Sequence, residues 1–567
     1  MSYGIFRSRS VFALSALLCI GATSALAQAE KPQYGGTLNI GGTSVTISPL
    51  SWDPADWTWK YNQDTGLATE TLFAADLSKS TRRGGKYPFL ADAWLPSDAI
   101  RGELAETWLW QQSPLRLEVK LRKGVMFPAK PGVMAARELV ADDVVYSFYR
   151  LDKSPKRIPT YFDHIDKVEA TDKNTVLFTF KAYNAEWDYR FGWGYYSAIV
   201  PKEVTDAGAG NWKNLNGSGP FMLTDVVMGS AVTWSRNDGY WDKESIGGQQ
   251  YKLPFVDKII YRTIKDEAAF LTALRTAKLD VLEAIRWSAV EELKKNAPAL
   301  KWKRRVATAG TFLAMRVDTK PFDDIRVRRA LNMAVNKKEI VSSFYGGNAE
   351  LFGYPMHPDY LGYFEALDKM PVAAQELFVY NPDKARALLA EAGYPKGFTF
   401  KAQVCSCVPD HMDLIPLVAA YLEKIGVKME IQPMEYGAFL SAMTTKTNAA
   451  GYFMQNGHSN PTTSVRKSFV TKQTWNPSQY SDPDFDKRMA EAYLEQDEGK
   501  RQLLVKLLTR DIVEKAPYIW LPTPHVYGAW WPWVKNYDGE LRAGAERPAP
   551  IHARMWVDQA LKKKMGF

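Results

Sequence analysis

Several residue types in this 567-residue chain are suited to holding a small molecule. Arg286 and Trp287 are adjacent, and a guanidinium beside an indole can hold an anionic or planar group. Trp52 and Trp59 belong to an aromatic segment around Asp53. Stacked rings on a loop suit the lining of a ligand cleft, and they suit the cover of a small core equally well. The Arg286–Trp287 pair is also ordinary on a plain surface, so both alternatives stay open.

Catalytic chemistry has little support in the sequence. There is no H-E-x-x-H metal motif, no G-x-S-x-G nucleophile turn and no phosphate-binding loop, and the six histidines are scattered. Residues that are distant in the chain can still form a catalytic triad. A secreted hydrolase is therefore the alternative from a different functional class, and turnover of a solute would distinguish it from a binding protein.

The first 27 residues predict a secretory signal peptide. A short basic segment precedes an apolar run, and Ala25-Leu26-Ala27 offers small residues for cleavage after Ala27. The run is shorter than the roughly 20 apolar residues that a membrane span needs. Cys19 is the alternative, as a lipoprotein attachment site, but Leu18 precedes it where a small residue is required. We expect a periplasmic protein.

Cys405 and Cys407 are the cysteines of the expected mature chain. An oxidising compartment favours a disulfide, although Cys-Ser-Cys closes a very small ring, and structural thiols are the alternative. His411 nearby makes a metal site conceivable, but a fourth ligand is not evident. We expect no metal and no cofactor.

Composition and charge describe an ordinary globular protein. The chain is 46% hydrophobic and 24% charged, which argues against disorder, and its length predicts two or more lobes. The net charge of +9 is spread thinly, without a basic stripe interleaved with aromatic residues. We expect no nucleic-acid partner.

The central stretch, residues 309–340, predicts the elements that organise the chain. Thr311–Val317 is a strand, which Asp318–Pro321 interrupts because proline removes a donor. Asp323 or Asp324 then caps an amphipathic helix. Further on, a capped helix over Tyr380–Gly393 precedes a β-α-β crossover. Its elements are a strand over 398–404, a helix over 412–425 and a strand over 427–432.

Several segments together resemble one known family. They are LAETWLWQQ, KLRKGVMF, ADDVVYSFYRL, RNDGYW, PFDDIRVRRALNMAVNKKEI and YNPDKARALLAEAG, in that order. They resemble the extracellular solute-binding proteins of ABC importers, in the family 5 group that includes the oligopeptide- and dipeptide-binding proteins. The resemblance runs from about Tyr34 to the last fifty residues. The connector Pro128–Glu138 is longer than the family's usual turn.

The resemblance implies an α/β fold of the type II periplasmic binding-protein class, with two lobes joined by a hinge and an additional subdomain in the first lobe. It also implies a monomer that encloses a small solute and docks on a membrane permease with cytoplasmic ATPases. The implied segments are the signal peptide at 1–27, the first lobe at 28–72, 206–313 and 520–567, the extra subdomain at 73–205, and the second lobe at 314–519.

The resemblance leaves the solute open. In peptide-binding relatives, an aspartate pairs with the peptide's α-amino group at the position of Gly457, and here the run 455–461 has no acid. A buried ammonium without a carboxylate is costly, so a peptide and an oligosaccharide-like solute are alternatives. The neutral groups of Gln455, Asn456, His458 and Asn460 suit a hydroxyl-rich solute. The resemblance also implies that Arg286 and Trp287 lie on a loop that reaches the cleft. The expected ligand contacts are Trp52, Trp59, Arg286, Trp287, Phe312, Tyr436, Met454, Gln455, Asn456, Gly457 and His458.

Overall fold

The computed structural model describes residues 30–41, 51–91, 94–158, 160–457 and 459–567. The predicted signal peptide lies outside these residues. Within them, we find no helix that combines the length and the apolar character of a membrane span.

The strands follow one another along the whole described chain. Their bounds are β1 Thr37–Gly41, β2 Phe73–Ala75, β3 Ile100–Gly102, β4 Ala105–Gln112, β5 Leu115–Leu121, β6 Met126–Phe127, β7 Arg137–Glu138, β8 Ile165–Asp172, β9 Thr175–Phe180, β10 Phe221–Val227, β11 Ala231–Arg236, β12 Lys243–Ile246, β13 Gln249–Lys252, β14 Lys258–Arg262, β15 Val281–Arg286, β16 Lys301–Val306, β17 Ala309–Met315, β18 Ala349–Glu350, β19 Thr399–Cys405, β20 Lys428–Met434, β21 Gly451–Gly457, β22 Tyr518–Trp520, β23 Thr523–Trp530, β24 Val534–Lys535 and β25 Trp556–Val557.

The helices are concentrated in the second half of the chain. Their bounds are α1 Tyr61–Thr65, α2 Ala141–Asp152, α3 Lys202–Asp206, α4 Glu267–Arg275, α5 Trp287–Asn296, α6 Ile325–Ala334, α7 Lys337–Glu339, α8 Val372–Gln375, α9 Pro382–Glu391, α10 Pro409–Glu423, α11 Tyr436–Thr444, α12 Pro461–Phe469, α13 Pro483–Leu494, α14 Glu498–Lys515, α15 Ala549–His552 and α16 Gln559–Lys564.

The first lobe is built on a mixed sheet with the strand order β10-β11-β14-β1-β15-β23-β16. β1 is parallel to both β14 and β15, whereas β23 is antiparallel to both β15 and β16. A strand from the end of the chain thus lies between two strands that precede residue 307. The first-lobe sheet is therefore complete only when the C-terminal strand β23 has joined the strands that precede residue 307.

The extra subdomain contains a four-stranded antiparallel sheet in the order β4-β5-β9-β8, against which α2 packs. The helix begins beside the connector that is longer than the family's usual turn. Arg137, at the end of that connector, pairs with Asp143 of α2 and Glu203 of α3, at 2.7 and 2.6 Å. The connector therefore anchors two helices of the subdomain.

The second lobe is built on a five-stranded sheet in the order β20-β19-β21-β17-β22. β19 and β20 are parallel and α10 connects them, which confirms the predicted crossover. Asp324 caps α6 and Asn381 caps α9, as predicted, each by accepting a hydrogen bond from a backbone amide of its helix. Gly393 follows α9 at φ +91°, a left-handed conformation that favours glycine.

The chain passes between the two sheets after β16 and again after β22, so two neighbouring segments form the connection. The amide of Ala307, just after β16, donates to the carbonyl of Pro524 at the start of β23, at 2.8 Å. Asn348 also contacts β23: its carbonyl accepts from the His525 amide at 2.8 Å, and its side chain accepts from the Tyr527 hydroxyl at 2.5 Å. This arrangement confirms the predicted two-lobe α/β fold. The exact lobe boundaries stay predictions.

Cys405 and Cys407 form a disulfide, one of the two alternatives that the sequence left open. It lies in the turn between β19 and α10. His411, in the first turns of α10, is buried and packs against the ring of Phe453 at 5.2 Å. The described residues contain no group of metal-ligating side chains that could hold an ion.

The burial of His411 predicts sensitivity to acid. Desolvation lowers its pKa from the usual 6.5 to about 3, so below pH 6.5 the unfolded chain takes up a proton that the folded chain refuses. The free energy of unfolding should fall by at most about 1.4 kcal/mol per pH unit from this group. When the pH is lowered from 7.5 to 5, we expect the melting temperature of His411→Leu to fall by less than that of the wild type. Equal decreases would contradict the prediction.

Candidate ligand cleft

The end of β21 opens onto free space. Gly457 is its last residue and pairs with Ala309 of β17. A Cβ atom added to Gly457 would meet no described atom within 4 Å. Ser459 and Asn460 are buried just beyond, and Asn460 caps α12 by accepting from the Thr463 amide at 2.8 Å. The strand end and the helix start therefore border an open region of the second lobe.

The neutral amides of this segment are largely engaged within the protein. The Asn456 side chain is buried and donates to the Ser468 hydroxyl at 3.0 Å. Asn460 serves as the helix cap, whereas Gln455 is exposed. His458 lies outside the described residues. Two of the amides that suggested an oligosaccharide-like solute, those of Asn456 and Asn460, are therefore bonded to other protein groups.

The first lobe meets the start of α12 through Glu186. The carboxylate of Glu186 accepts a hydrogen bond from the Thr463 hydroxyl, and both residues are buried. Next to it, the amide of Ala185 donates to the carbonyl of Tyr493 at 2.8 Å. These contacts join the two lobes directly beside the open region at Gly457.

Glu186 is held in place by a buried ion pair within the first lobe. Arg190 donates to Glu186 from Nη2 at 2.5 Å and from Nε at 2.9 Å, one helical turn away. The same guanidinium donates to the Tyr161 carbonyl at 2.9 Å and lies over the Tyr161 ring at 4.4 Å. The ion pair therefore fixes the carboxylate that Thr463 contacts.

A cation of the second lobe also reaches this region. Lys467, on α12, donates to the carbonyl of Gly457, and its Nζ lies 3.3 Å from the Ser459 hydroxyl. Burial, together with a smaller effect of the neighbouring charge of Arg466, lowers the pKa of Lys467 to about 7. Gly457, where the resemblance implied an acid in peptide-binding relatives, is therefore bordered here by a lysine.

The expectation that Arg286 and Trp287 lie on a loop is wrong. Arg286 ends β15 and Trp287 begins α5, because β15 extends along β23 up to Arg286. Across the lobes, Arg286 pairs with Asp410 at 2.5 Å and Asp413 at 2.9 Å. Trp287 packs against Tyr345 at 4.7 Å. Both residues therefore contact the second lobe, and the charge of Arg286 already has carboxylate partners.

Removing Arg286 should favour an open arrangement of the lobes. Arg286→Ala deletes the ion pairs with Asp410 and Asp413, which exist only when the lobes are in contact. The pair with Asp410 is largely buried, at 26% and 23% exposure, so the loss should be about 1 kcal/mol or more and the open population should rise about fivefold or more. Small-angle X-ray scattering without ligand should give a larger radius of gyration.

The control is Arg488→Ala, which removes ion pairs to Asp484 and Asp511 within the second lobe. It should leave the radius of gyration unchanged. Added salt screens exposed charges, so it should expand the wild type and leave Arg286→Ala almost unaffected. Equal expansion of both variants would contradict a role of Arg286 in closure.

The other predicted contacts are distributed over both lobes. Trp52 is buried in the first-lobe core, and Trp59 is partly buried. Phe312 is fully buried and stacks on Tyr518 at 4.2 Å, while Met454 is buried in the same second-lobe core. Tyr436, the first residue of α11, is partly buried against that core. Their roles as ligand contacts stay predictions.

Sequence reasoning missed Glu186, Arg190, Thr463 and Lys467. The spacing of Glu186 and Arg190 is that of a pair on one helical turn, which was a usable signal. Nothing in the sequence placed that pair opposite Thr463, 277 positions later.

Comparison with known proteins gives a family assignment. The model of the family described as "Bacterial extracellular solute-binding proteins, family 5 Middle" matches residues 99–477. Di/tripeptide-binding protein 1 of Pseudomonas aeruginosa is 27% identical over 496 residues, which cover 83% of this chain and 86% of that protein. Heme-binding protein A of Haemophilus influenzae is 26% identical, covering 76% and 80% of the two chains.

Solved structures support the same fold. The periplasmic binding protein DppA from Helicobacter pylori, in complex with peptide STSA, matches with a TM-score of 0.75 and 24% identity. The match covers 93% of this chain and 99% of that one. The matched family region spans both lobes, including the end of β21 and α12. The chain belongs to family 5 of the bacterial extracellular solute-binding proteins.

Proposed function

We propose that this protein is the periplasmic component of an ABC importer, which encloses a peptide-class solute between its lobes and delivers it to a membrane permease. The observation that carries the proposal is the contact between Thr463 and Glu186 beside the open region at Gly457. Hinged lobes that close on a ligand must make such contacts around it.

Relatives support a peptide-class solute. They include proteins named as di/tripeptide-binding, dipeptide-binding and glutathione-binding. The engaged amides of Asn456 and Asn460 weaken the argument for an oligosaccharide-like solute. We further propose that the protein acts as a monomer after cleavage behind Ala27, with ATPase subunits powering the permease.

The test is a thermal-shift screen of the chain from Gln28 to Phe567 against di- to pentapeptides, oligosaccharides and divalent metals. A ligand at 100 times its dissociation constant stabilises the folded state by about 2.7 kcal/mol. We expect a shift with peptides, a smaller radius of gyration on binding, and recovery of the peptide unchanged. A shift with sugars or metals alone would overturn the peptide proposal, and cleavage of the peptide would establish the hydrolase alternative.

A further inference from the structure

Two adjacent cations on α12 lack a carboxylate partner. Arg466 is buried and donates from Nη1 to the Gln473 side chain at 2.7 Å. Lys467 donates to the Gly457 carbonyl, approaches the Ser459 hydroxyl, and lies 5.9 Å from the centre of the Trp475 ring. Among the described residues, neither side chain forms an ion pair.

Other buried cations among the described residues do have carboxylate partners. Arg190 pairs with Glu186, and Arg547 pairs with Glu103, in each case with both side chains almost completely buried. Such partners matter because a buried charge that lacks compensation is strongly unfavourable. Lys467 has only neutral oxygen partners among the described residues, so a bound anion would stabilise its ammonium group.

Lys337 is the useful comparison, since it is also without a carboxylate. Its ammonium donates to the carbonyls of Asn332 and Leu377 and is completely enclosed in the second lobe. Lys467, by contrast, is partly exposed and donates to the carbonyl of Gly457. A Cβ atom built on Gly457 would have no described atom within 4 Å, so there is open space beside this carbonyl. An ammonium has three donors, and two of those of Lys467 are engaged. A third remains for a group that enters this space.

We propose that Lys467 determines specificity by binding a carboxylate of the solute in the open region beside Gly457. This inference rests on the proposed peptide-class function, and it adds that the solute group in this region is negatively charged. A carboxylate there gains a charge-assisted hydrogen bond from the protonated form of Lys467 and also compensates the nearby charge of Arg466. The solute then presents an anion where peptide-binding relatives receive an ammonium.

Two matched pairs of peptides test the proposal by isothermal titration calorimetry. Trialanine and trialanine amide differ in the C-terminal carboxylate, and N-succinyl- and N-acetyl-trialanine differ in a carboxylate at the other end. In at least one pair, the wild type should bind the carboxylate-bearing member about tenfold more tightly or better. Lys467→Gln should abolish that preference, and Lys467→Arg should retain it.

The control variant is Lys487→Gln, which removes an exposed positive charge from α13 of the same lobe. It should keep the preference, which separates a local contact from a general loss of charge. Equal affinities within both pairs for the wild type would overturn the inference while leaving peptide binding intact. So would a loss of affinity in Lys467→Gln that is equal for every peptide. If no peptide binds the wild type, the proposed function fails and the inference fails with it.

Discussion

Replacing Glu186 by alanine should lower the free energy of unfolding of the first lobe by ~3–5 kcal/mol. The side chains of Glu186 and Arg190 are 1% and 4% exposed, so the variant leaves an arginine in the interior without a carboxylate. Urea titrations followed by tryptophan fluorescence and far-ultraviolet circular dichroism measure the loss. A decrease of about 1 kcal/mol or less, typical of an exposed pair, would contradict the burial of this ion pair.

Two further variants separate the roles of Glu186. Glu186→Leu combined with Arg190→Met removes both charges and should recover most of the lost stability. Thr463→Val keeps the ion pair and deletes only the hydroxyl that donates across the lobes. It should leave the urea midpoint almost unchanged and weaken ligand binding by about fivefold, because one closed-state hydrogen bond is lost.

The second large effect is expected from restoring an acid at position 457. Gly457→Asp together with Lys467→Gln should increase the affinity for trialanine by about tenfold to a hundredfold. A carboxylate at that point can accept from the peptide's ammonium, and the glycine has neither a left-handed φ nor a described neighbour that would clash with a side chain. Isothermal titration calorimetry gives the comparison directly.

The single variant Gly457→Asp should gain less than the double variant. The ammonium of Lys467 already contacts the Gly457 carbonyl and would pair with the new carboxylate. N-acetyl-trialanine, which has no ammonium, is the matched ligand control and should gain nothing. Unchanged affinity for trialanine in both variants would mean that position 457 does not face the solute.

Local chemistry made much of the fold predictable. Asn381, Pro382 and Gly393 lie at the ends of α9 that their conformational preferences favour. Asp324 likewise caps α6, and the motifs in family order implied two lobes. In such places the preference of a few neighbouring residues agrees with the final structure.

The candidate site was less predictable because distant pairings decide it. Arg286 ends a strand instead of lying on a loop because β15 pairs with β23, some 240 residues later. The contact of Glu186 with Thr463 depends on how the lobes meet, which no local pattern encodes. Lys467 could not be recognised as a site residue from the sequence, because only the packing of α12 against the end of β21 brings it to Gly457.

The position of β23 affects the order in which the protein is completed during synthesis. All five strands of the second-lobe sheet precede Thr523, so that sheet can assemble first. Until β23 leaves the ribosome or the export channel, β16 has no described strand partner and β15 has one open edge. Unpaired edges invite aggregation and chaperone binding. A premature stop after Leu521 would therefore damage the lobe made earliest and spare the one made last.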